Sequence, residues 1–310
     1  MRNAFAQYLL EKALKDKQIL LITGDLGFGV LDDFAKELPN QFINAGIAEQ
    51  SMMSMAAGLA SRGFRPFVYS IANFPTFRCL EQIRNDVTYM NNPVTIVSVG
   101  AGLSYGSHGY THHAVEDIAI MRALSNMRIF SPSDAIEARE SVDSILRELE
   151  PAYLRLGKGG EKIISGILRG SGSLQNNRTQ KTSGIICWTG AIGVKVHEAV
   201  DLLESQNIIA ELISVPEMSD LIFQNILEKS NGAPILTVEE HVVRGGFGSW
   251  LLEVASDKDF KNPISRLGVS RSTNHKIGSQ DYLLVESALT PVNIANSFKK
   301  LINHGAASGI

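Results

Sequence analysis

The sequence predicts an α/β fold in two domains, each a mostly parallel sheet flanked by helices. Strand-length apolar runs, Ile19–Thr23 and Pro93–Val99 foremost, alternate with segments of helical spacing. The second of these runs is almost wholly apolar and β-branched, as a parallel strand covered on both faces should be. A polar stretch from Arg169 to Arg178 then interrupts the alternation, and a smaller one of the same kind follows. A first domain over 1–160, a linker over 161–184 and a second domain over 185–310 are therefore expected.

In chain order, Phe5, Leu9, Leu10, Ala13 and Leu14 recur at helical spacing ahead of the Ile19–Thr23 strand. Three glycines follow that strand in Gly24–Gly29, but their spacing fits neither a P-loop nor the dinucleotide fingerprint. A short apolar segment, Gln41 to Asn44, stops at Gly46, and Glu49 then opens a helix rich in small and apolar residues. Phe64–Ser70 reads as a strand and Phe74 to about Met90 as a helix. Pro93–Val99 leads into a long loop, after which Ile118–Leu124 reads as helix and Met127–Phe130 as strand. Ser131–Asp134 caps a helix to about Leu149, and Ala152–Leu156 is a last strand. In the second half, strands are expected near Ile185–Trp188, Ile208–Ile213 and Ala233–Val238. Helices are expected at Val194–Glu204, Met218–Glu228 and Gly248–Ala255.

Composition narrows the function classes. Apolar residues make up 44% and charged residues 20%, with a formal charge of −3, so a general polyanion-binding surface is not indicated. Cys79 and Cys187 lie far apart, match no metal-ligand spacing and fit a reducing compartment. The N-terminal segment is too polar for a signal-peptide core, and no stretch approaches the roughly 20 apolar residues of a membrane span. A cytoplasmic protein is expected.

Three stretches carry chemistry. Glu49 in a first helical turn would offset the helix dipole, which alone accounts for an acidic residue there. The loop Gly100–Asp117 holds His108, His112 and His113, beyond the carboxyl end of a strand, where open α/β sheets gather ligands. Those histidines have no recognised metal-ligand spacing, so no metal site is assigned. Glu239-Glu240-His241 with Gly245-Gly246-Phe247-Gly248 reads first as a glycine turn at a helix start.

Taken together, these stretches resemble the C-terminal half of transketolase, and in particular the second subunit of split transketolases. The resemblance rests on Gly46-Ile47-Ala48-Glu49-Gln50, Phe64-Arg65-Pro66, Glu81–Asp86, Gly109–Asp117, Leu124–Arg128 and Val238–His241 with Gly245–Gly248, in the family's order. It implies a pyrimidine-binding domain followed by the transketolase C-terminal domain, with thiamine diphosphate as cofactor. Glu49 matches the family carboxyl that bonds the pyrimidine ring and enables the cofactor's amino group to act as a base. Phe74 and Phe77 fall where the family lines that ring, and Ile71 takes a third position that is often aromatic. His112 matches the histidine that faces the sugar. His108 stands where many members place an aspartate that recognises the donor's C2 hydroxyl, and Lys158 sits near a phosphate-binding arginine.

What is missing shapes the expectation as much. The Gly-Asp-Gly…Asn motif that holds Mg²⁺ and the diphosphate in this family does not occur; Gly24-Asp25-Leu26 lies in the wrong domain. The resemblance therefore implies half a site, completed by a separate N-terminal-type subunit carrying Mg²⁺ and diphosphate in an α2β2 assembly. The expected activity is transfer of a two-carbon ketol unit from a ketose to an aldose. The substitutions on the substrate side point to a modified acceptor sugar. A β subunit of a 2-oxo-acid dehydrogenase decarboxylase is the alternative enzyme, and a non-catalytic partner retaining the fold is the alternative of another class.

Overall fold

The computed structural model describes residues 1–164 and 182–307; the polar stretch Arg169–Arg178 lies outside the described residues. The first half forms β1 (Ile19–Thr23), β2 (Phe42–Asn44), β3 (Arg65–Ile71), β4 (Thr95–Val99), β5 (Arg128–Phe130) and β6 (Ala152–Leu156). The second forms β7 (Gly184–Thr189), β8 (Ala210–Ser214), β9 (Glu217–Met218), β10 (Ile235–Val242) and β11 (Ile264–Val269). They make a seven-stranded sheet in the order β2-β1-β3-β4-β6-β5-β9 and a four-stranded sheet in the order β11-β10-β7-β8. Pairing is parallel throughout, except that β9 meets β5 antiparallel, with Ile129 opposite Met218. Residues of β1, β4, β6 and β7 are buried without exception, because helices cover both faces.

The helix Glu49–Ala60 shows how the sheet builds its cover. Met52, Met53, Ala56, Ala57 and Ala60 recur at three- and four-residue steps and are buried, while Ser51, Ser54, Met55 and Gly58 face out. Across the sheet, Ala135–Arg147 is started by Asp134, whose carboxylate accepts from the backbone N–H of Ile136 and Glu137. No helix among the described residues is long and apolar enough to cross a membrane.

Besides β11, which the sequence reading did not expect, two regions differ from it. Phe74 does not begin a helix. It lies in a turn whose N–H bonds the Ile71 carbonyl at 2.9 Å, and a 3₁₀ turn begins only at Phe77. Pro75 explains the delay, since a residue before proline is pushed away from helical angles. One α turn, Leu80–Gln82, then widens into π-helix over Ile83–Tyr89. Phe74 and Phe77 thus do not share a helix face. The second difference is β9: Met218 was expected to open a helix, but it pairs in β9 and Asp220–Ser230 starts after Ser219, whose side chain accepts from Ile222 N–H.

Candidate active site at the carboxyl ends of the first sheet

Parallel β1 and β2 direct their carboxyl ends to one edge of the molecule, with Thr23 opposite Asn44. The chain leaves β2, turns at Gly46 with φ of 70°, and delivers Glu49 as the first helical residue. Glu49 is 3% exposed. Arg78 Nη1 donates to its Oε2 at 2.6 Å, although the Arg78 side chain is itself 47% exposed. The same guanidinium lies 4.7 Å from the centre of the Phe74 ring. A planar cation therefore bridges a buried carboxylate and an aromatic face.

The Gly100–Asp117 loop supplies the next wall. Its middle is two 3₁₀ turns, Gly106–His108 and Tyr110–His112, separated by Gly109 at φ of 77°. This folding brings His108 and His112 to 5.0 Å between ring centres, and His112 to 5.3 Å from Phe74. Tyr105 lies 5.7 Å from His108, and Lys158 Nζ lies 5.2 Å above the Tyr105 ring. Burial first, and then neighbouring His108, lowers the pKa of His112, so its ring is neutral at pH 7. The Thr111 hydroxyl engages His112 Nδ1 at 3.0 Å. His113 is fully buried behind it, with its pKa lowered chiefly by burial.

Of the residues singled out in the sequence, Glu49, Phe74, His108 and His112 come together, and Lys158 joins them through Tyr105. Ile71 ends β3 and Phe77 opens the 3₁₀ turn, both half-buried. Phe77 makes no ring pair among the described residues. Lys158 also edges a cleft of about 360 Å³ whose other walls include Ser104, Lys195, Glu240 and Gln280. A larger recess, about 670 Å³, lies among Lys12, Arg65 and Arg147 and shares none of these residues.

Sequence reasoning missed Arg78, because nothing in its spacing links it to Glu49. It also missed Asn73, whose Nδ2 donates to the carbonyls of His113 at 2.8 Å and Thr111 at 3.3 Å, tying the Phe74 turn to the histidine loop. The stretch Glu239–His241 proves to be more than a glycine turn. All three residues are buried in β10, and the Glu239 carboxylate receives the N–H groups of Phe247 and Gly248 at 2.7 and 2.9 Å. That is a helix cap for Phe247–Asp257, supplied from a neighbouring strand.

Comparison with known proteins gives this geometry a family. Residues 1–160 match the transketolase pyrimidine-binding domain and residues 177–294 the transketolase C-terminal domain. The chain belongs to the transketolase family. It corresponds to the C-terminal half of a transketolase, an enzyme of the transferase class whose family depends on thiamine diphosphate. It is 34% identical over 275 residues to a subunit of the apulose-4-phosphate transketolase of Phocaeicola vulgatus, covering 86% of each chain. It is 32% identical over 309 residues to a putative transketolase C-terminal section of Methanocaldococcus jannaschii, covering 95% of this chain and 94% of that one. Among solved structures it is similar to a split-gene transketolase described as an inactive beta4 tetramer, with TM-score 0.84, 31% identity and 98% of each chain covered. This transketolase chain carries the pyrimidine-binding and C-terminal domains together.

Proposed function

We propose that this chain forms the C-terminal side of a split transketolase site, in which Glu49, Phe74 and His112 address thiamine diphosphate and a sugar. The observation that carries the reading is the position of Arg78. A flat, cationic, hydrogen-bonding group already stacks on Phe74 and donates to Glu49. An aminopyrimidine would ask for the same two contacts, so the residues present fit the cofactor, with Arg78 standing where the ring would lie. When bound, the cofactor supplies the nucleophilic carbon that breaks and re-forms the ketose carbon–carbon bond.

Each residue then has a stated task. Glu49 holds or yields a proton at the ring nitrogen, in a buried setting where a carboxylate needs a partner. Phe74, with Ile71 and Phe77 beside it, offers the stacking wall. His112, neutral and bonded to Thr111 through Nδ1, presents Nε2 to a sugar hydroxyl, and His108 lies next to it as a second contact. Lys158 offers one positive charge to an anionic substrate group, without the fork that an arginine would supply. With His108 in place of the aspartate that reads the donor's C2 hydroxyl, and Lys158 in place of a forked arginine, the substrate side departs from the family's pattern, and we assign a modified sugar as acceptor.

The site needs a second chain. Phe28 and Ile47, in the loops that follow adjacent β1 and β2, are each 79% exposed. Large apolar side chains at that place support an interface. We assign to it an N-terminal-type subunit that holds the diphosphate and Mg²⁺ in an α2β2 assembly. The assembly works in the cytoplasm, a reading that the buried free thiols of Cys79 and Cys187 support. Co-expression with an N-terminal transketolase chain from the same genome, followed by ketol-transfer assay with thiamine diphosphate and Mg²⁺, tests the proposal. Turnover only in the two-chain complex is expected; full activity of the isolated chain would overturn it.

A further inference from the structure

We propose that Glu240, on β10 of the second sheet, is a positioning residue that sets where the histidine loop holds His112. The loop is closed at its neck by two backbone bonds, Gly102 N–H to Ala114 carbonyl at 3.0 Å and Ala114 N–H to Gly102 carbonyl at 2.9 Å. Those two bonds fix the neck's width. They do not fix where it stands relative to Phe74.

Asn73 ties the far side of the loop to the Phe74 turn, and the neck itself is placed with help from the second sheet. Just inside the neck, Leu103 N–H donates to Glu240 Oε1 at 2.6 Å. Gln280 Nε2 donates to both oxygens of the same carboxylate, at 2.9 and 3.0 Å, and so fixes its orientation. On the other side of the neck, Arg155 Nη2 donates at once to the Ala114 carbonyl at 2.7 Å and to the Glu240 carbonyl at 2.9 Å. Arg155 is in turn held by Asp117 Oδ2, at 2.7 Å from its Nε. Glu240 thus meets the leading side of the neck with its carboxylate and the trailing side, through Arg155, with its backbone.

Two further features suit this role. Glu240 and Arg155 are 5% and 2% exposed, so water does not compete for these bonds. Gly102 has φ of 64°, and a Cβ there would come within 2.6 Å of the Glu240 carboxyl group. Only glycine lets the carboxylate approach that closely. Beyond the neck, Gly278 N–H reaches the Gly106 carbonyl at 3.2 Å, so the turn that carries His108 is also met from the second half of the chain. The second domain therefore adds a splint to a loop that its own domain already holds through Asn73 and Arg155.

The inference rests on the reading of His112 as the sugar-facing group, and the test separates the two. In the assembled two-chain enzyme, Glu240→Ala should raise KM or lower kcat for the sugar at least tenfold while thiamine diphosphate affinity stays within threefold. Glu240→Gln, whose amide oxygen can still accept from Leu103, should recover most of the loss. In the full chain labelled with ¹³C-histidine, Glu240→Ala should also move the His112 titration, a readout independent of turnover. Gln280→Ala, which frees the carboxylate without removing it, should act in the same direction and decides the matter should Glu240→Ala not fold. Unchanged sugar kinetics and an unchanged His112 titration in these variants would overturn the proposal, as would equal losses in cofactor and sugar binding. Wild-type turnover of His112→Asn would instead sink the sugar-facing role while leaving the titration test of Glu240 intact.

Discussion

Arg78 reaches Glu49 across 2.6 Å while lying over Phe74, so the carboxylate and the aromatic ring of the candidate site are joined through one guanidinium. If Glu49 is the proton partner of the pyrimidine ring, Glu49→Gln keeps its size and removes its proton chemistry. Turnover of the assembled enzyme should then fall by about 100-fold or more. Isothermal titration of thiamine diphosphate alongside the rate measurement separates lost chemistry from lost binding.

Arg78 must leave if the ring takes its place. Removing it with Arg78→Ala costs the free state a cation–π contact and an ion pair, so cofactor affinity should hold or tighten by roughly two- to fivefold. A tenfold loss would show that Arg78 stays beside the bound ring.

His112 is kept neutral by burial and, to a smaller degree, by His108. The variant His108→Asn removes only the second influence. The His112 pKa should rise toward its ordinary value without reaching it, as read by histidine ring shifts across a pH titration of the full chain. A fall in its pKa would contradict the arrangement of the two rings.

His241 makes a prediction about stability. Its Nδ1 faces the Val242 carbonyl at 2.7 Å, its Nε2 accepts from Ala119 N–H at 3.3 Å, and complete burial pulls its pKa down to about 4. The folded value lies below the unfolded value of about 6.5, so at intermediate pH the unfolded chain binds more protons. The contribution is therefore complete above about pH 6.5 and fades as the pH falls toward 4, a loss on the order of 3 kcal/mol. Urea denaturation between pH 7 and pH 4.5 should show a steeper loss for the wild type than for His241→Asn.

Much of the architecture was legible because parallel strands covered on both faces read as near-continuous apolar runs, and β1 and β4 are such runs, while β6 departs from one only at Arg155. β11 was missed because its residues alternate poorly and are half-buried along most of its length. β9 was missed because two residues have no period; its pairing exists only once the chain has returned to β5. At the site, Glu49 and the histidines could be picked out by family likeness and by their place after strands. Arg78 could not, and Glu240 was noted only within a glycine-turn stretch, since each acts on a residue distant in sequence and a contact of that kind leaves no local pattern.

The antiparallel pairing of β9 with β5 bears on how the chain can be divided. A fragment ending near residue 160 would hold every strand of the first sheet but its last, leaving the backbone donors and acceptors of Arg128–Phe130 open along one edge. An unpaired edge is a template for other chains. The first domain borrows its own boundary from the second, so the point at which the sequence changes character is not the point at which it can safely be cut.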